Sequence, residues 1–359
     1  MDIETRELLE QGLLRFSQEH FDPGRAQERS TAEDGFRVSA WNQMQDLGGF
    51  YLLGNDEGDA LGSLEDLLPL YQVAGEYLWD LPLDVVFGGV AEIVVGIEDA
   101  SRKATCLSGL LDASVPLAMA HREHPNGWSL APPKCRASRV DGEWRLTGRK
   151  ALVPGVPAAS SLIVSATDSQ SQTSFFLVEK NATGLSSKAY PCVDQSQAHD
   201  LSLDDVPARL LCQGQHILMR ALHRASLLVA AESIGIMQGA CRDTVTYLQQ
   251  RKQFGRALIG FQNLQHRLVD MHVLAHESLA LLNQTAAAFD FKTPDIQRQV
   301  LVLRAQVSRA LRKITAEAVQ LHGGMGVTQE TRVARYYKRA LMLDGLCGSA
   351  DWALDQLAA

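Results

Sequence analysis

The sequence predicts an α+β protein with three parts in chain order: an N-terminal helical domain, a middle β domain and a C-terminal helical bundle. Three observations carry this. Apolar residues recur at helical spacing at both ends of the chain. The middle changes to a period of two and holds a hairpin signal at Asp141-Gly142. The long C-terminal stretches each carry one apolar stripe with few interior prolines. The parts are assigned as residues 1–112, 113–210 and 211–359, and 359 residues allow two or three domains or one large one.

In the first part, Leu8, Leu9, Leu13, Leu14 and Phe16 are read as an apolar helical stripe, followed by turn material at Asp22-Pro23-Gly24. Glu33 to Leu47 is a second helical stretch, Asn55 to Ser63 a glycine-rich loop, and Leu64 to about Trp79 a third helix. In the middle, Cys135 to Val140 and Glu143 to Gly148 alternate around the Asp-Gly turn, as a hairpin does. Ser161–Ala166 and Ser174–Val178 are further strands, and His199–Val206 is another that Pro207 is expected to end. From about residue 215 the chain is helical. Leu264, Leu268, Met271, Ala275, Leu279 and Leu282 share one helix face, as do Val300, Leu303, Val307, Leu311, Ile314, Ala318 and Leu321.

Composition narrows the function. Lys plus Arg is 34 and Asp plus Glu is 42, a net charge of −8, which leaves no basic excess for a nucleic acid. With 46% hydrophobic and 21% charged residues the chain has ample core material. Its longest apolar run, Val85–Ile97, is too short to span a bilayer and is broken by Gly88, Gly89 and Glu92. The opening MDIETRELLEQ has no signal-peptide shape. Six scattered cysteines without a CxxC pair predict reduced thiols in a cytoplasmic protein, with neither a disulfide framework nor a metal site.

Two C-terminal segments say more. Arg251-Lys-Gln-Phe-Gly255 is followed by Ile259-Gly-Phe-Gln262, and Gln320-Leu-His-Gly-Gly-Met-Gly-Val327 by Glu330 and Ala334-Arg-Tyr-Tyr337. Glycines at 323, 324 and 326 end a helix and let backbone approach a ligand closely, and an arginine fork at 251 suits a phosphate. Each alone reads as no more than a helix cap and a surface arginine. Together, in this order and spacing, they resemble the acyl-CoA dehydrogenase family over nearly the whole chain. The α-β-α order, the hairpin RASRVDGEWRLTGRKALVPG and the run Leu228-Val-Ala-Ala-Glu-Ser-Ile-Gly235 agree with that.

The resemblance implies the acyl-CoA dehydrogenase-like fold, with the C-terminal helices as a four-helix bundle, and an FAD extended at an interface between subunits. It implies that Arg251 contacts the FAD pyrophosphate, that Phe254 packs by the adenosine half and Gln262 bonds there, and that Gln320, Gly323 and Gly324 line the same half. These groups serve the flavin held by the neighbouring subunit. His322, inside the motif but without a spaced metal partner, is read as packing.

The sequence departs from the family in three places. The family's catalytic glutamate, a little over twenty residues after the Gly-Gly pair, falls on Cys347, and the alternative base position on the earlier helix falls on Ala225. A neutral thiol is a poor base for an α-proton. The Thr-Glu-Pro…Gly-Ser-Asp segment that binds flavin and thioester is replaced by Met119 to Gly127, and the flavin-shielding Trp-Ile-Thr by Leu152-Val153-Pro154. Pro154 offers flavin N5 neither an N–H nor a hydroxyl. Glu232, Asp344 and Glu330 are weighed as substitute bases and none is assigned, so no residue of this chain is named catalytic.

What the resemblance implies is therefore a non-catalytic subunit, similar to the small subunits of pimeloyl-CoA and steroid side-chain dehydrogenases. It would pair in a heterotetramer with a homologous catalytic subunit, act on an acyl-CoA and pass electrons to an acceptor. The rivals are a self-sufficient homomer with an atypical base and a non-redox scaffolding relative.

Overall fold

The computed structural model describes residues 3–21, 37–54, 61–124, 127–328 and 330–359. The expected turn at Asp22-Pro23-Gly24, the start of the second helical stretch and most of the 55–63 loop lie outside them. The chain divides into two compact units interleaved in sequence. One comprises 31–63 and 80–225, the other 1–30, 64–79 and 226–359.

The first unit is built on β strands. Its strands are β1 (Leu117–Ala120), β2 (Arg136–Val140), β3 (Glu143–Pro154), β4 (Ser161–Thr167), β5 (Thr173–Glu179), β6 (Leu185–Pro191) and β7 (Gln197–Gln213). Pairing runs β1-β4-β2-β3-β7-β5, with β6 on β7, and β5 pairs back onto β4. The sheet thus closes on itself, which leaves few free edges. Asp141 and Gly142, both at positive φ (51° and 87°), form the two-residue turn of the β2–β3 hairpin, whose last pair is Val140 with Glu143. Leu146, Ile163, Val164, Phe175, Phe176, Leu201, Leu203 and Val206 supply a buried apolar core. Helices α2 (Val38–Asp46), α4 (Gly89–Val95) and α5 (Ala100–Leu111) belong to the same unit.

One strand boundary needs correcting: β7 does not stop at Pro207 but continues to Gln213. Pairing with β6 ends at Leu203, and pairing with β5 starts at Arg209. Pro207 therefore sits where β7 has only β3 beside it, and a missing N–H is tolerated at such a bare edge. The short apolar β1 and the largely exposed β6 carry no alternation to read and were not expected.

The second unit is helical: α1 (Ile3–His20), α3 (Leu68–Tyr77), the later part of α6 (Gln215–Gln250), α7 (Gln262–Asp290), α8 (Ile296–His322), α9 (Arg332–Leu346) and α10 (Ala350–Ala358). Every residue of the stripe from Val300 to Leu321 is buried. On α1 the stripe is narrower than expected. Leu13 and Phe16 are buried, but Leu8 is 63% exposed and Leu14 faces solvent, because neither keeps the three-to-four spacing with them. Helices α3 and α6 touch backbone to backbone. A Cβ on Gly235 would lie 1.8 Å from the Gln72 carbonyl oxygen, and one on Gly75 2.0 Å from that of Glu232. α10 packs Ala353 and Trp352 onto Leu301 and Ala305 of α8. None of the six cysteines is in a disulfide. No helix among the described residues is long and apolar enough to cross a membrane.

Candidate cofactor-binding surface

Arg251 extends the last turn of α6, its N–H donating to the Tyr247 carbonyl at 2.8 Å. A small hairpin follows, β8 (Lys252–Gln253) and β9 (Arg256–Ala257), and Leu258 N–H closes it by donating to the Arg251 carbonyl at 2.9 Å. Its tip is Phe254-Gly255, both at positive φ (52° and 78°). Phe254 is 89% exposed, edge-on to Phe261 at 6.2 Å, and the Arg256 guanidinium lies 3.9 Å over the Phe261 ring. A phenylalanine held at positive φ with its ring in water is unfavourable on both counts, which points to a surface meant to be covered. Gln262 is the exposed first residue of α7.

The second motif ends α8. Gln320 is exposed, and Gly323 takes φ 60°, ψ −137°, a conformation that disfavours a side chain. A Cβ on Gly323 or Gly324 would meet nothing within 4 Å, whereas one on Gly326 would lie 2.3 Å from the Val319 carbonyl oxygen. Gly326 is thus required by this chain's own packing, while Gly324 leaves bare backbone facing outward. His322 is buried and stacks on Tyr247, with ring centroids 4.3 Å apart and planes at 22°, and its Nδ1 lies 2.8 Å from the Ala318 carbonyl. It packs, as expected, and burial lowers its pKa.

All six sequence-predicted residues, Arg251, Phe254, Gln262, Gln320, Gly323 and Gly324, are solvent-facing at helix ends or on the adjoining hairpin. An exposed guanidinium and exposed glycine backbone suit an anionic cofactor arriving from outside the chain. By this test the residues fit the adenosine-pyrophosphate half of FAD.

The base positions look different. Cys347 is buried at the end of α9. The fully buried Arg304 of α8 donates to the carbonyls of Leu343 (3.3 Å) and Gly348 (2.9 Å), tying the α9–α10 turn down around that thiol. Burial lowers the Arg304 pKa, while Cys347 and Asp344 act in the opposite sense. Asp344 accepts from the Ser308 hydroxyl and lies 3.7 Å from Arg312. Glu232 holds Arg339 with both oxygens, at 2.6 and 3.0 Å. These two carboxylates are occupied by structural partners, and Glu330 is exposed.

In the β unit, the segment replacing the family's flavin-binding stretch is fastened to the sheet. The buried Lys150 ammonium donates to Glu123 (2.8 Å), Ser165 (3.2 Å) and the His121 carbonyl (3.2 Å). Glu123 also accepts the backbone N–H groups of Lys134 and Cys135, each at 2.7 Å. Burial, then Lys150, pushes His121 down to about 4, so its ring is neutral near pH 7. For Glu123 burial acts upward, but the ion pair and hydrogen bonds win and its pKa falls. The sequence reading missed this cluster. Its signal was a lysine four residues after Leu146, on the inward side of an alternating strand. Further along β3, Leu152 sits at φ 52° beside a register shift and donates its N–H to Asp200 at 3.0 Å.

Comparison with known proteins agrees with the motifs. Residues 213–359 match the family model described as acyl-CoA dehydrogenase, C-terminal domain. The mitochondrial isovaleryl-CoA dehydrogenase of Solanum tuberosum is 26% identical over 370 residues, spanning 97% of this chain and 88% of that protein. A solved Tcur3481-Tcur3483 steroid ACAD variant superposes with a TM-score of 0.90 at 29% identity, over 99% of this chain and 97% of that one. The ChsE4-ChsE5 complex from Mycobacterium tuberculosis shares the fold, with a TM-score of 0.89 at 19% identity over 100% of this chain and 97% of that one. Helical segments before and after a middle sheet in the chain, the paired C-terminal motifs and relatives matched along their length lead to one conclusion: residues 213–359 form an acyl-CoA dehydrogenase C-terminal domain, in a chain similar along its length to that family of FAD-dependent oxidoreductases acting on CH–CH bonds.

Proposed function

We propose that this chain is the non-catalytic subunit of a heteromeric acyl-CoA dehydrogenase, lending Arg251, Phe254, Gln262, Gln320, Gly323 and Gly324 to an FAD held with a homologous catalytic partner. The observation that carries this is a contrast. The residues for the adenosine-pyrophosphate half are exposed and present. Both base positions, Cys347 and Ala225, lack a carboxylate, and Glu232 and Asp344 are engaged with Arg339 and with Ser308 and Arg312. Two structural neighbours support the reading. One is the ChsE4-ChsE5 complex, and the other is a Tcur3481-Tcur3483 steroid ACAD variant.

The reaction is α,β-desaturation of an acyl-CoA thioester, with electrons passed on to an acceptor. The partner supplies the base for the α-proton, and bound FAD supplies the hydride acceptor. This chain's residues bind and orient. The Arg251 fork carries positive charge to the pyrophosphate, the glycine backbone allows close approach, and Phe254 covers an apolar face of the cofactor's adenosine end.

Arg251→Ala tests this. A charge-assisted fork contact contributes on the order of 1.5–3 kcal/mol, so flavin content of the purified complex falls while both chains still fold. Arg251→Lys keeps the charge without the planar fork and falls between wild type and alanine. The readout is the flavin-to-protein absorbance ratio at matched concentration and salt, and unchanged occupancy in Arg251→Ala overturns the donated site.

A further inference from the structure

We propose that Tyr247 and His322 form a positioning clamp that sets the spacing between Arg251 on α6 and the Gly323-Gly324 backbone after α8, an inference that rests on the reading of these residues as facing FAD. The two cofactor motifs lie 69 residues apart in sequence, from Arg251 to Gln320, and each ends its own helix. The ring stack joins them. Its centroids are 4.3 Å apart with the planes at 22°, the geometry of a favourable offset aromatic pair.

Each ring sits next to the group it positions. Tyr247 is one helical turn before Arg251, and its carbonyl accepts the Arg251 N–H at 2.8 Å. His322 directly precedes Gly323. The His322 ring has one defined orientation. Its Nδ1 is 2.8 Å from the Ala318 carbonyl, which can only accept, so Nδ1 carries the proton. Burial favours that neutral ring. The far side of the glycine turn is fixed by Gly326 seated against Val319.

The other ion pairs of α6 in this unit lead elsewhere. Among the described residues, Arg242 pairs with Glu76 of α3, and Asp243 and Glu232 pair with Arg332 and Arg339 of α9. None of these three ties α6 to the end of α8. A donor set that must meet one extended cofactor needs its members held within about 0.5 Å, and the stack is a direct contact between the residues that adjoin the two motifs.

The experiment uses the complex of this chain with its catalytic partner and compares His322→Leu, His322→Phe and Arg251→Ala. One readout is FAD affinity by titration of the deflavinated complex. The other is amide hydrogen exchange of residues 251–261 and 323–328 without FAD. The clamp predicts that His322→Leu weakens FAD binding roughly three- to tenfold, the scale of one aromatic pair. It also predicts faster exchange in both segments and unchanged exchange in α10. His322→Phe, which keeps a stacking ring, returns both readouts to within about twofold of wild type. Tyr247→Leu and Tyr247→Phe must give the same pattern from the other side, which keeps the test intact if one histidine variant does not fold.

Wild-type FAD affinity in His322→Leu, with flavin lost in Arg251→Ala, overturns the clamp and leaves the donated site standing. Exchange that rises in one segment only, or throughout the chain, also overturns the clamp. If Arg251→Ala keeps its flavin, the donated site fails, and the exchange data still decide whether the two motifs are coupled.

Discussion

Removing the Glu123 carboxylate is expected to cost far more stability than removing the Lys150 ammonium that faces it. The side chain of Lys150 is 0% exposed and that of Glu123 20%, and they meet at 2.8 Å. In Glu123→Ala the ammonium stays buried with only the Ser165 hydroxyl and the His121 carbonyl, both neutral and 3.2 Å away. Stranding a buried charge in this way costs about 3–5 kcal/mol. In Lys150→Met, by contrast, Glu123 keeps two backbone N–H donors at 2.7 Å and its edge of solvent. That loss is about 1–2 kcal/mol, and a methionine fills the lysine's space.

The sign of the pH dependence follows. Burial already lowers the Lys150 pKa, and Glu123 counteracts this, so Glu123→Ala lowers it further. Between the depressed folded value and the unfolded value the unfolded chain binds more protons, so stability of the variant rises with pH. The deficit of Glu123→Ala therefore shrinks by up to about 1.4 kcal/mol per pH unit between pH 7 and 9, and that of Lys150→Met does not. The assay is reversible denaturant unfolding of wild type, both single variants and the double variant at the two pH values. Lys150→Met as costly as Glu123→Ala, or a deficit for Glu123→Ala that is flat with pH, refutes the argument.

Two further outcomes are expected. Cys347→Ala leaves kcat of the complex nearly unchanged, because the buried thiol has no proton to move; a fall of ~100-fold, the scale of a lost general base, contradicts this. His121, whose folded pKa is about 4 against 6.5 for a free imidazole, gives stability that is complete above about pH 6.5 and lost between 6.5 and 4, on the order of 3 kcal/mol. Melting temperatures of wild type and His121→Asn between pH 7 and 4.5 check it, the variant falling less steeply; parallel profiles contradict it.

Much of the fold was legible in the sequence because the deciding signals are local. The Asp141-Gly142 turn names its own conformation, and the α8 stripe repeats often enough that its period is unambiguous. What was not legible depends on distant neighbours. β7 runs past Pro207 because pairing partners change there, a fact that lies in β6 and β5. Leu8 and Leu14 looked like stripe members because a leucine-rich run satisfies several phases at once. The cofactor motifs were readable as an ordered pair of segments, but the Tyr247–His322 contact that joins them was not, since nothing local links residues 75 positions apart. The engagement of Glu232 and Asp344 likewise appears only once α6 meets α9 and α8 meets α9.

The central claim is that this chain completes a flavin site and does not own one. Its most direct test is the flavin content and acyl-CoA-dependent turnover of the chain purified alone and purified with its catalytic partner. The account predicts FAD and turnover in the co-purified complex and neither in the chain alone. Stoichiometric FAD with turnover in the chain alone would contradict it in favour of a self-sufficient homomer, and FAD in neither sample would contradict it in favour of a non-redox scaffold.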